Sequence, residues 1–426
     1  MAQSFVRMAS GFCGTAALWL LCLYAQADNR LPADRHPDEH PHITENNSLD
    51  LATVFTAALA RAPESRMSPA YAGLAENQRS VSRQLLPGQP KFIVNYWDDR
   101  LLDNTGIREL EAGVEVELWH LGQKKNAGQL ADALESGSIA WQQQLALDVA
   151  GQLRKSLHRL LATTATSEHA RQAVNEAERL RDISQRRHDA GEISRADLLQ
   201  SDALVYEAQQ TLLNQQAEQV DAERDYFILT GLVERPAAVN ETPPVHTETS
   251  LQHPTLAYLN NERLTRERRV QQVRQQAAAS TTVALGARRQ RDQHQAPDMY
   301  ALALSVSIPF GRSPRGSSAA AAARVELAQA EVDLHNAQRQ LSRQLHEVEH
   351  QLEVNARSLE LARATSSLRK QQWQLAEKAF ALGETDIRST ILALQHYRHS
   401  ELQWQLLNLN QYALISALKQ TLGELP

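Results

Sequence analysis

Cysteine is nearly absent. The two that occur in 426 residues, Cys13 and Cys22, both fall within the first 27 positions, so no disulfide framework holds the remainder. Aromatic residues are also scarce, at 5% of the chain, which argues against a single thick core. A formal net charge of only -6, with no basic stripe, excludes nucleic acid as a natural partner. No Gly-rich phosphate loop and no nucleophile triad is visible. What is abundant is Ala, Gln, Leu and Arg, the usage of long helices.

The longest apolar run, Gly11 to Tyr24, is shorter than the roughly 20 residues a membrane-spanning helix requires. It follows Arg7 and precedes Ala25-Gln26-Ala27, the small-x-small pattern of a cleavage site. Residues 1–27 therefore read as a signal peptide. Neither cysteine follows a small residue, so the mature chain is expected to carry no lipid. Residues 28–48 are polar and rich in Pro and His, an extended tail in which His36, His40 and His42 either hold a divalent cation loosely or are solvated.

The stretch Arg187 to Leu232 organises the rest. Leu198/Leu199, Val205/Tyr206, Leu212/Leu213, Val220 and Phe227/Ile228 recur near every seventh residue, the signature of a helix facing a partner in a left-handed supercoil. Gly191 marks the reversal before it, Ser194 is a cap, and Gly231 ends the helix. The pattern returns about 190 residues later, with Gly191-Glu192 answered by Gly383-Glu384, Gly122 by Gly311 and Gly231 by Gly423. That period is far longer than a solenoid unit and implies two duplicated halves, residues 49–232 and 253–426, joined by a linker over 233–252.

Within each half the hydrophobic period changes from helical to alternating. Strands are expected at about 91–98 and 108–120, and again at about 281–291 and 299–310. Helices are expected over Ser48–Arg61 with Ser48 as cap, Pro69–Leu86, Gln123–Asp189, Ser194–Thr230, His253–Ser280, Ser313–Ala381 and Arg388–Leu422. The 67-residue helix is about 100 Å long, and the shorter return helices balance it only when two are stacked. Four strands cannot close a barrel, and open edges are intolerable in lipid, so closure needs several copies.

These residues resemble the outer-membrane efflux (TolC) family, and within it the heavy-metal, CzcC-like branch. The resemblance is carried by Gly191-Glu192-Ile193-Ser194-Arg195-Ala196-Asp197-Leu198-Leu199, the glycines at 122 and 311, and the duplication. It implies a mainly α fold with a β-barrel portion: duplicated helix-strand-strand-helix halves in a homotrimer, with a 12-stranded barrel in the outer membrane of a Gram-negative bacterium on a long periplasmic α-helical barrel. A periplasmic adaptor and a proton-driven inner-membrane RND-type pump are the implied partners, outer-membrane lipid is the surroundings, and no cofactor or enzymatic activity is expected.

By that resemblance, a carboxylate after the tip glycine lines a constriction, and Asp197 holds that position. On the other hairpin Asp386 is shifted earlier and Arg388 follows it, so a ring of paired acids is not implied. Asp197 reads equally as a carboxylate stabilising a helix N-terminus. Glu109, Glu111, Glu115 and Glu117 alternate with Leu110, Val114, Val116 and Leu118, which assigns the glutamates to a lumen and predicts cation selectivity. His346-Glu347-Val348-Glu349-His350 satisfies H-E-x-x-H, but it lies in a heptad-like helix without a third ligand, and a zinc peptidase is the least favoured reading. Two further readings stay open, a duct for drugs or other organic compounds and, behind it, a periplasmic adaptor.

Overall fold

The computed structural model describes residues 42–101, 106–244, 252–277, 280–292, 297–310 and 314–426, with the side chains of 314 and 315 left undescribed. The signal-peptide reading, both cysteines, His36, His40 and Gly311 lie outside the described residues. In chain order the elements are β1 (Thr44–Asn46), α1 (Leu51–Arg61), a short 3-10 turn, α2 (Ser68–Arg83), β2 (Lys91–Asp98), β3 (Arg108–Glu117), α3 (Gln123–Asp189) and α4 (Arg195–Thr230). There follow β4 (Glu234–Pro236), α5 (Pro254–Ala277), β5 (Thr282–Arg291), β6 (Met299–Ser307), α6 (Pro314–Ala381) and α7 (Ile387–Leu422).

Two helices run without interruption for 67 and 68 residues. The others are stacked in pairs beside them. In one half of the bundle α4 packs on α3, α3 on α7 and α7 on α6; in the other half α2 packs on α3, α3 on α5 and α5 on α6. The chain is thus a wall four helices wide, in which α2 and α4 occupy one lane and α5 and α7 another.

The heptad residues of α4 divide into two seams. Leu198 and Val205 are buried against neighbouring helices, whereas Leu199, Tyr206 and Leu213, one position further on, are exposed. A matching exposed stripe runs down α6 through Val354, Leu361, Leu368, Leu375 and Leu382, each seven residues from the last. The two outer lanes of the wall therefore carry apolar stripes that none of the described residues covers.

The sheet has the order β2-β3-β5-β6, antiparallel throughout, with β3 and β5 joining the two halves. Alternation sorts the strands onto two faces. Phe92, Val94 and Tyr96 share one face with Leu110, Val114, Val116, Leu285, Leu302, Leu304 and Val306, and most of these side chains are exposed. Lys91, Asn95, the four glutamates of β3 and Arg288 share the other. Gly113 and Gly286 oppose each other on that polar face. A Cβ on Gly113 would stand 2.7 Å from the Leu285 carbonyl oxygen and 2.8 Å from Gly286 Cα, so only glycine permits this close crossing and the sheet curls about it.

Three sequence expectations need correction. The cap of α1 is Asp50, which accepts from the Thr53 amide at 2.8 Å; Ser48 instead donates its hydroxyl to Asn46 at 2.6 Å. The tail and linker are not wholly irregular, because β1 and β4 pair in parallel, Thr44 against Glu234. Strands β3 and β6 end at Glu117 and Ser307, earlier than expected, where the chain turns toward the long helices.

At the level of β1 and β4 a core of Val54, Leu153, Leu157, Leu160, Tyr226 and Val239 joins α1, α3, α4 and the linker. Beside it Arg154, buried on α3, binds Glu241 at 2.7 and 2.9 Å and donates to Gln420 at 2.7 Å and to the Glu424 carbonyl at 3.0 Å. Burial pushes the Glu241 carboxyl up, but Arg154, the Ser416 hydroxyl and Lys419, 3.7 Å away, together outweigh this and hold it below its ordinary range. Removing one partner of such a pair strands the other charge. Arg154→Ala is expected to cost about 3 kcal/mol or more, read as a lowered thermal midpoint of the purified protein, with partial recovery when Glu241→Gln is added.

Candidate functional site: the hairpin tips and the polar face of the sheet

Both hairpins turn by the same local chemistry. At the end of α3 the Gly191 amide donates to His188 at 2.8 Å and Glu192 to Arg187 at 2.9 Å; at the end of α6 Gly383 donates to Phe380 at 3.1 Å and Glu384 to Ala379 at 2.8 Å. Gly191 and Gly383 have φ of 77° and 82°, the left-handed conformation such a stop requires. Three residues later each return helix is capped. Ser194 and Asp197 form a reciprocal capping box, the carboxylate accepting from the Ser194 amide at 3.2 Å and hydroxyl at 2.8 Å.

The second hairpin exchanges the two residue types. Asp386 is the cap and Ser389 stands at the third helical position, so the carboxylate accepts from the Ser389 amide at 2.9 Å and hydroxyl at 2.8 Å. Those bonds hold the exposed Asp386 carboxyl below the usual carboxylate range. One hydroxyl and one carboxylate therefore occupy equivalent places in both tips, with the negative charge moved by one turn. This accounts for the shifted acid at Asp386. Within the chain Asp197 bonds Ser194 rather than Arg388, so the cap is a realised contact and the Asp197–Arg388 pairing is not made.

The two tips meet across a cavity of about 450 Å³ lined by Arg187, Glu192, Asp197, Gly383, Glu384 and Asp386. Arg187 is the residue that joins them, and sequence reasoning assigned it no role. Its guanidinium donates to Glu192 at 3.0 Å on its own hairpin and to the Phe380 carbonyl at 2.8 Å on the other, and lies 4.7 Å from the centre of the Phe380 ring. Behind it Leu180, Trp373, Phe380, Ile387 and Leu394 form the core between the hairpins. Further along that seam Arg398 of α7 binds Glu176 of α3 at 2.6 Å and Glu401 at 3.1 Å, beside His169, whose imidazole burial and Arg398 keep below its ordinary pKa.

On the polar face of the sheet the four glutamates lie together as the alternation requires, but cations accompany them. Glu109 binds Arg288 at 2.6 Å, and Lys91 lies 3.8 Å from Glu115 and 3.4 Å from Glu117. The field of this face is weaker than four isolated carboxylates would produce. The sequence showed Arg288 without the register that sets it opposite Glu111.

The remaining candidates are dispersed. His346, Glu347 and His350 are all exposed on an unbroken α6. Of the motif's two histidines and first glutamate only Glu347 lines the neighbouring cavity, which it shares with Arg154 and His158. Among the described residues no group of three or more His, Cys, Asp or Glu side chains is arranged to hold a metal. His42 is exposed, with Nδ1 3.5 Å from the Glu223 carboxylate.

Two unbroken helices, paired return helices and a four-stranded antiparallel sheet at one end recur in solved structures. The same fold is seen in solved outer-membrane channels. The chain superposes on the Campylobacter jejuni CmeC outer membrane channel with a TM-score of 0.68 at 12% identity, covering 87% of this chain and 85% of that one. It superposes on the Vibrio cholerae outer membrane protein VceC with a TM-score of 0.69 at 13% identity, covering 88% and 96%. The open state of the Neisseria gonorrhoeae MtrE outer membrane channel gives 0.64 at 14% identity, covering 87% and 88%. No protein-family model and no curated protein matches the sequence.

In this channel fold Arg187 is the polar tie between hairpins at the tip. Arg187→Ala is expected to leave both helical hairpins formed and to release one from the other. Hydrogen exchange should show faster amide exchange over residues 378–386 with the middle of α6 unchanged; unchanged exchange at the tip would show that Trp373 and Phe380 packing and the Arg179–Glu377 ion pair hold it without Arg187.

Proposed function

We propose that this chain is the outer-membrane exit duct of a tripartite, proton-driven efflux system, working as a homotrimer with a periplasmic adaptor and an inner-membrane pump. The observation that carries this reading is the sheet. Its outward face is apolar, its inward face is charged, and among the described residues its edge strands β2 and β6 have no strand paired on their outer sides. Such a sheet is stable in lipid only when closed, and three copies supply twelve strands. The exposed stripes on α4 and α6 suit the same closure, with α6 of one copy against α4 of the next in a head-to-tail ring. The similarity to solved outer-membrane channels supports it.

Threefold assembly gathers the tips into a constriction, in which Asp197, Asp386 and Arg388 of the three copies form the gate. The substrate class we favour is heavy-metal cations. Four glutamates against Lys91 and Arg288 leave two negative charges per chain on the inward face, and like charges gathered within a Debye length of about 8 Å attract cations. A duct for organic compounds would not need that acidic lining. In these machines selection by the pump outweighs selection by the duct, so the lining sets a preference.

Two measurements test the reading. The detergent-extracted protein should have the mass of a trimer, with no folded monomer; a monomer retaining full β signal contradicts it. In planar bilayers with a potassium chloride gradient, the wild type should give a cation-selective reversal potential. Replacing Glu109, Glu111, Glu115 and Glu117 with Gln should reverse its sign, since Lys91 and Arg288 then remain alone. The same bilayers read the gate, where Asp197→Ala should raise single-channel conductance and an unchanged value would leave Asp197 a helix cap.

A further inference from the structure

The outward face of the sheet changes character along its length. Near the helices it is wholly apolar, with Phe92, Val116, Val283 and Val306. At the far end it passes through Tyr96 and Tyr300 to a group of arginines: Arg108 on β3, Arg289 and Arg291 on β5, and Arg100 just past β2. Two carboxylates are bonded to guanidiniums of this group. Asp98 accepts from Arg100 at 2.8 Å and from the Tyr96 hydroxyl at 2.6 Å. Asp298 accepts from Arg289 at 2.8 Å and from Arg291 at 2.7 Å.

The geometry of Asp298 is the informative part. Its side chain is 15% exposed beneath two arginine side chains that are 55% and 38% exposed, and each arginine meets it through Nε and Nη2, which leaves Nη1 of each outside these bonds. Arg108 stands on the adjoining strand opposite Asp98 in the register. Tyr96, Arg108, Glu109, Leu110, Arg289, Arg291 and Asp298 line a cavity of about 220 Å³, with Leu110 among its apolar parts and the Glu109 carboxylate held by Arg288. Planar guanidiniums on a common surface suit phosphate, which each can meet with two parallel bonds, and an apolar surface directly below suits the chain attached to it.

We propose that this outward pocket binds the phosphorylated headgroup of a lipid in the outer leaflet. In a Gram-negative outer membrane that leaflet is built from a bisphosphorylated glycolipid, which supplies a phosphate at this depth and acyl chains along Phe92, Leu110, Leu285 and Leu302. A basic pocket at the headgroup level of a membrane protein is a lipid site by its chemistry. The confinement of the arginines to one end distinguishes the outer leaflet from the inner. The inference rests on the orientation proposed above, with the strand ends remote from the helices facing outside. The lipid would tie β2, β3 and β5 together at the rim, where the sheet otherwise has only strand ends.

Native mass spectrometry of the detergent-purified full-length protein tests this, with bisphosphorylated lipid A, enzymatically dephosphorylated lipid A and inorganic phosphate as probes. The wild-type trimer should retain bisphosphorylated lipid A, bind the dephosphorylated form at least about tenfold more weakly, and hold no inorganic phosphate, since charge-assisted bonds carry the affinity. Arg289→Gln with Arg291→Gln should weaken retention of the bisphosphorylated lipid by about tenfold or more. Should that variant fail to assemble, Asp298→Asn carries the test with opposite sign, because freeing both guanidiniums should tighten binding. Equal binding of the two lipids, equal binding by wild type and variants, or capture of inorganic phosphate alone would overturn the proposal while leaving an intact trimer. A wild type that forms no trimer would overturn the duct reading itself.

Discussion

The open outer edges of β2 and β6 are the constraint on which the architecture depends. Each edge presents a row of backbone donors and acceptors, and hydrocarbon offers them no partner. The sheet is apolar on one face and charged on the other, and a helix laid over the charged face would bury its glutamates, while one laid over the apolar face would still leave both edges open. The closure with further copies proposed above would satisfy both the edges and the faces. In that ring the long helices would continue every strand pair as a wall, and the exposed stripes on α4 and α6 would be the surfaces that meet neighbours.

Curvature must be provided locally for a ring to close. Gly113 and Gly286 provide it on the inward face, where two strands cross more closely than any side chain would allow. At the level of α1 and the linker, Arg154 gathers α3, Glu241 and the end of α7 into one node, so the return helices are pinned where two of them are stacked end to end. A single charged side chain here ties together what a larger core would otherwise hold, in keeping with a chain poor in aromatic residues.

The tips show how duplication is kept while charge is redistributed. Both carry a left-handed glycine, a 6→1 backbone bond and a carboxylate–hydroxyl pair across the first helical turn, yet Ser194 and Asp197 exchange places as Asp386 and Ser389. Exchange keeps the cap in each hairpin, because either residue type satisfies free backbone amides. In the threefold assembly proposed above it would also move one ring of carboxylates relative to the other along the axis, changing the constriction without changing the turn.

What the sequence alone determined was everything that acts over a few residues. The extent of α3 was legible to the residue from Gly122 and Gly191, the strand faces from strict alternation, and the two halves from the repeated tips. Helix caps, turn glycines and periodicity are local, so they are written where they act. Ser48 was misplaced as a cap because two candidate acceptors lay within three positions and only the backbone path chose Asp50. Tertiary structure decided the contacts made over long separations: Arg288 on Glu109, 179 positions apart, Arg154 on Glu241, 87 apart, and Arg187 on Phe380, 193 apart. A charged residue in a sequence carries no mark of its distant partner, because the partner is set by strand register and helix packing that no local pattern encodes. The β1–β4 pair was hidden for the same reason, since three residues on each side have no period to read.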